Sequence, residues 1–149
     1  MGIGRFDSLL LLSFGGPERP DEVMPFLRNV TKGRGVPDER LTVVAEQYAL
    51  FGGKSPINDL NRELLRSLQG ELAARGHDIP AFWGNRNWDP FVSDVVETLR
   101  AQGHSSTVCL VTSAFSSYSG CRQYHEDLDR ARSLVQDAPE IDRVRVFWN

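Results

Sequence analysis

Two regimes of hydrophobic patterning alternate along this chain. Short apolar runs without strict alternation fall at Ser8–Leu12, Pro80–Gly84 and Thr107–Thr112, and Val144–Phe147 reads as a fourth. Apolar side chains on both faces suit strands of a covered parallel sheet better than half-exposed ones. Between the runs lie longer stretches with helical spacing. Asp21–Asn29 carries Val23, Met24, Phe26 and Leu27, with Pro25 limiting its regularity; Asp38–Leu50 ends at Gly52-Gly53, a capping signal. Ser55 as N-cap and Pro56 at the first helical position open a long amphipathic helix. Its predicted inner stripe is Ile57, Leu60, Leu64, Leu68 and Leu72, and Gly76 closes it. Asp89-Pro90 opens a helix with Val92, Val95, Val96 and Leu99 at i, i+3, i+4, i+7, and a last one runs roughly from Cys121 to Val135. Strands alternating with helices predict an α/β fold, a doubly wound parallel sheet between two helical layers.

In such a sheet the ligand crevice lies outside the carboxyl ends of the strands. The first run stops at Phe14-Gly15-Gly16-Pro17, which turns the chain sharply and leaves Phe14 at the rim. Asn85–Trp88 and Ser113–Tyr118 follow the next two strands and emerge on the same edge, so an apolar-walled pocket with scattered polar groups is expected there. Phe82 and Trp83 read as core. Thr31–Pro37 is a basic, glycine-rich loop whose readings as solvated connection and as anion site weigh evenly. Gly52-Gly53-Lys54-Ser55 lacks the upstream glycine of a phosphate loop, since Tyr48 stands there, and a helix precedes it instead of a strand. Gly2-Ile3-Gly4 precedes its strand and lacks the third glycine of a dinucleotide fingerprint.

With 149 residues the chain can build one domain with a real core. A net charge of −3 does not favour nucleic acid as a partner, so an anionic ligand needs a local cationic patch. No apolar run reaches transmembrane length and no signal peptide opens the chain; with two cysteines, Cys109 and Cys121, and no CxxC, a reducing, cytoplasmic setting is expected. Cys109 reads as a buried small hydrophobe, and Cys121 sits at a helix N-terminus, where thiol pKa values fall. His77 and His104, beside helix-ending glycines, read as surface residues. The chain stops at Asn149 right after a predicted strand, as a piece of a longer protein would.

Four motifs in order, Leu11–Glu18 (LSFGGPE after Leu11), Gly52–Ile57 (GGKSPI), Gly84–Trp88 (GNRNW) and Ser116–Tyr124 (SSYSGCRQY), resemble the N-terminal half of ferrochelatases, with the flavour of the actinobacterial coproporphyrin ferrochelatases. The resemblance spans nearly the whole chain and roughly half of a family member. It implies residues 1–149 as one of the family's two similar three-layer α/β domains, with a C-terminal half beyond it. It also implies insertion of ferrous iron, as substrate, into coproporphyrin III on the way to heme.

By the same resemblance the porphyrin-binding serine and tyrosine fall on Ser55 and Tyr124. A further tyrosine falls on Tyr48, with Gln47 in the place of an arginine. A propionate-binding arginine is replaced by Thr31, leaving Lys32 or Arg34 as substitutes. Phe14 stands where some members have an iron-ligating tyrosine, and a phenyl ring offers no oxygen. The family's metal-contacting histidine and its glutamate belong to motifs absent from this sequence, so the chain alone is expected to be inactive. Some members hold a [2Fe–2S] cluster on cysteines lying largely in the C-terminal tail. A porphyrin is a flat apolar disc rimmed with carboxylates. Phe14, Tyr48, Phe51, Phe115, Tyr118 and Tyr124 are candidates for its walls, and Lys32, Arg34, Lys54 and Ser55 for its propionates. A cobalt-inserting chelatase and a non-catalytic, flavodoxin-like ligand or interaction domain are the alternatives.

Overall fold

A computed structural model describes residues 4–113 and 118–145, the side chains of 118–121 excepted. Its elements run β1 (Ser8–Ser13), a 3-10 turn (Pro20–Glu22), α1 (Val23–Val30), α2 (Asp38–Ala49), α3 (Ile57–Ala74), β2 (Ala81–Asn85), α4 (Val92–Ala101), β3 (Ser106–Val111), α5 (Tyr118–Ser133) and β4 (Glu140–Arg143). The four strands form one parallel sheet in the order β2-β1-β3-β4. The chain steps one way from β1 to β2 and the other way from β2 through β3 to β4. Right-handed crossovers then put α3 on one face and α4 and α5 on the other.

β1 is the axis of this arrangement. It pairs with β2 from Leu9↔Ala81 to Ser13↔Asn85 and with β3 from Ser8↔Thr107 to Leu12↔Val111. All six of its residues are buried, as an unalternating apolar strand in a covered sheet must be. Leu10 and Leu12 face Val92, Val95 and Val96 of α4 and Leu128 of α5, with Cys109 and Tyr124 in the same cluster. Leu9 and Leu11 turn to the opposite face, where α3 packs on β1 and β2. Gly84 lets β2 approach α4: a Cβ there would stand 3.1 Å from the Val92 Cα.

Three expectations are corrected. The fourth strand is Glu140–Arg143, not Val144–Phe147; it starts where the Glu140 N–H meets the Ser105 carbonyl at 2.9 Å, and 146–149 lie outside the described residues. As an edge strand it needs only Ile141 against the core, so its polar sequence carries no apolar signal. On α3 the inner positions include Asn58, Asn61 and Leu72, whereas Leu60 and Leu64 are exposed. Asn58 turns inward because this part of the helix meets polar groups at the ends of β1 and β2: Asn58 Nδ2 donates to the Gly16 carbonyl at 2.9 Å, and Asn85 Nδ2 donates to Asn58 Oδ1 at 3.5 Å, whereas the buried Nδ2 of Asn61 has no hydrogen-bond partner among the described residues. Finally, His104 is largely buried, its Nδ1 3.3 Å from Asp7 and its ring edge-on to Phe82. No helix among the described residues is long and apolar enough to cross a membrane.

Candidate functional site

The turn after β1 is shaped by close approaches. A Cβ on Gly16 would lie 2.8 Å from the Ser55 Cβ, so only glycine lets this turn lie against the start of α3. The Ser55 N–H donates to the Pro17 carbonyl at 2.8 Å, and the Ser55 hydroxyl accepts from the Ile57 N–H at 3.3 Å. Ser55 therefore caps the helix from one position further out than expected, because Pro56 occupies the N-cap. Gly53, at φ +69°, lies so close to Pro20 that any side chain would clash there.

Ser55 opens onto a cavity of about 830 Å³ lined by Val44, Gln47 and Tyr48 of α2, by Phe51 and Lys54 of the following turn, and by Pro56 and Asp59. Its volume lies within the range of small-molecule sites. Aromatic and aliphatic groups form most of its wall, and polar groups gather at the α3 end. Tyr48 is half-buried, which pushes its phenol pKa up. Phe51 is 80% exposed, an unusual state for an aromatic ring and one that suits a lip waiting for a flat apolar ligand. Lys54 Nζ lies 2.6 Å from Asp59 Oδ2.

An aromatic run links this cavity to the sheet edge. Phe26, buried on α1, packs edge-on against Tyr48 at 6.4 Å between ring centroids, Phe14 at 6.3 Å and Trp88 at 6.0 Å. Trp88 is held in turn by its Nε1–H, which donates to Glu22 Oε2 at 3.0 Å. From Phe14 the run continues through a cation. The Arg86 guanidinium lies 5.9 Å from the Phe14 ring centre and 4.8 Å from that of Tyr124. Arg86 Nε donates to Asp127 Oδ2 of α5 at 2.5 Å, and the Arg86 N–H donates to the Ser13 carbonyl at 3.0 Å. Tyr124 is only 6% exposed, and burial raises its phenol pKa.

Of the residues singled out in the sequence, Ser55 and Tyr48 share one cavity with Lys54 and Phe51. Phe14 joins them through Phe26, and Tyr124 joins Phe14 through Arg86. Ser55 and Tyr124 do not face each other across that cavity. Lys32 and Arg34 sit on the exposed loop between α1 and α2, outside its lining, and among the described residues neither enters an ion pair. Phe115 lies outside the described residues, as do the side chains of Tyr118 and Cys121. Phe26, Arg86 and Asp127 were missed. Val23, Phe26, Leu27 and Val30 do carry the i, i+3, i+4, i+7 spacing that would have marked Phe26 as inward.

Of the two cysteines, Cys109 is the one whose side chain lies among the described residues. Cys109 is fully buried in the sheet, and burial pushes its thiol pKa up to about 12, the reverse of what a thiolate ligand needs. Among the described residues no group of three His, Cys, Asp or Glu side chains is placed to hold a metal ion.

The ferrochelatase family model matches residues 7–149. The chain is 54% identical over 149 residues to a coproporphyrin III ferrochelatase of Frankia alni, covering 98% of this chain and 37% of that protein. To those of Streptomyces griseus and Mycolicibacterium smegmatis it is 51% identical over 148 residues and 52% over 145, covering 97% of this chain each time and 40% and 43% of theirs. The chain thus spans about two-fifths of the length of the curated relatives it matches.

Proposed function

Because this chain belongs to the ferrochelatase family, we propose that it forms one wall of the porphyrin cleft in a cytoplasmic enzyme that inserts ferrous iron, its second substrate, into coproporphyrin III. The observation that carries this reading is the cavity beside Ser55. It joins an aromatic wall of Tyr48 and Phe51 to a polar end with Lys54, Ser55 and the start of α3. A tetrapyrrole needs that pairing, with ring faces against its macrocycle and donors at its carboxylates. The hydroxyl of Ser55 and the ammonium of Lys54 would bind propionates, and the positive end of the α3 dipole adds to their pull. Phe14, at the carboxyl end of β1, would border the macrocycle without offering iron an oxygen ligand. Tyr124 would take part through the ring and cation contacts it shares with Arg86 and Phe14.

Removing the pyrrole protons and receiving the iron fall, in this reading, to a histidine and a glutamate in the remainder of the full-length protein. The 149-residue chain alone is then expected to leave free-base coproporphyrin III unchanged on anaerobic incubation with ferrous iron, while the full-length protein gives the metallated spectrum. In the full-length protein, Ser55→Ala is expected to raise the Kd for coproporphyrin III about five- to tenfold, the loss of one hydrogen bond to a charged acceptor. Wild-type affinity in that variant, or metallation at enzyme rates by the chain alone, overturns the assignment.

A further inference from the structure

We propose that Asp59 sets the affinity of the cavity for carboxylate-bearing ligands by competing with them for Lys54. This rests on reading the cavity as a porphyrin site. Lys54 and Asp59 both line the cavity, with Lys54 Nζ 2.6 Å from Asp59 Oδ2. The same carboxylate accepts from Arg62 at 2.9 Å through its other oxygen. Arg62 does not depend on that contact, because Glu18 holds its two terminal nitrogens at 2.5 and 2.9 Å. From the cavity-lining Lys54 and Asp59 outward to Arg62 and Glu18, two cations and two carboxylates thus alternate and cancel.

An incoming carboxylate therefore meets a lysine that is already neutralised and a carboxylate standing beside it. Asp59 also occupies the first turn of α3, where its charge uses the positive end of the helix dipole that an anion would otherwise find vacant. It stays ionised to low pH, since the bond from Lys54 and the contact with Arg62 hold its carboxyl below the usual range. The Lys54 and Asp59 side chains are 44% and 55% exposed, so their pair is wet and exchangeable. A ligand carboxylate can displace Asp59 from Lys54, at the expense of part of its own binding energy. Such a counterweight keeps a multiply charged ligand from binding too tightly to leave.

The test is Asp59→Asn in the full-length protein, which keeps the shape and removes the charge. Coproporphyrin III is titrated by quenching of protein fluorescence at low and at moderate salt. The expected result is a Kd lowered about two- to fivefold at low salt, the size of one exposed ion pair, and a smaller gain at moderate salt. Adding Lys54→Gln to Asp59→Asn should abolish the gain. A wild-type protein that binds while Asp59→Asn binds equally or more weakly, or a gain that survives Lys54→Gln, overturns this inference and leaves the functional reading standing. A wild-type protein that binds no coproporphyrin III overturns both.

Discussion

Cys109 shows what burial alone does to an ionisable group. It sits mid-strand on β3 against Leu10, and no water reaches it. Its thiol pKa is pushed from 9.0 up to about 12, mainly by loss of hydration. The unfolded chain gives up this proton near pH 9 while the folded protein keeps it. Stability is therefore fully present below pH 9 and falls as pH rises towards 12, by about 1.4 kcal/mol per unit at most. Urea unfolding at pH 8 and pH 10.5 should show a drop that is smaller by about 2 kcal/mol in Cys109→Ala; equal drops in the two proteins contradict it. The burial of Cys109 was legible from its apolar neighbours Val108 and Leu110. The inward turn of Asn58 and His104 was not, because hydrophobic periodicity cannot register a polar side chain whose partners lie far away along the chain.

Among the elements, Arg86 ties the segments that follow β1 and β2 to α5. Its backbone extends the β2 pairing past the strand end, and its side chain spans from Phe14 after β1 to Tyr124 and Asp127 on α5. The side chain is 11% exposed and that of Asp127 is 23%, so removing the cation leaves a partly dehydrated carboxylate without its partner. Arg86→Met is expected to lower the unfolding free energy by about 1–3 kcal/mol in denaturant titrations. Arg86→Lys should recover only part of the loss, because an ammonium keeps the charge but not the planar fork. A methionine variant as stable as wild type would show the contact to be idle. That the segments after β1 and β2 meet at one sheet edge could be read from the βα alternation. The cation that ties them could not, since nothing local distinguishes Arg86 from a surface arginine.

At the scale of the whole molecule the architecture was legible, because parallel order follows from strands separated by long helical crossovers. What escaped was the polar edge strand β4, which buries too little to leave a pattern. The same topology has a consequence in time. β1 is made first, yet its register partner for Ser8 is Thr107, about a hundred residues later. At typical synthesis rates the leucines at positions 9–12 wait on the order of 5–20 s for their second flank. Ribosome-bound chains ending before β3 should therefore expose this segment to chaperones and proteases. Chains long enough to free Ser106–Val111 from the ribosome should protect it, and equal protease sensitivity at both lengths would show that β1 is sheltered by other means. A sheet built around its earliest strand makes that strand wait longest for shelter, so the birth of this protein depends on whatever holds those leucines in the meantime.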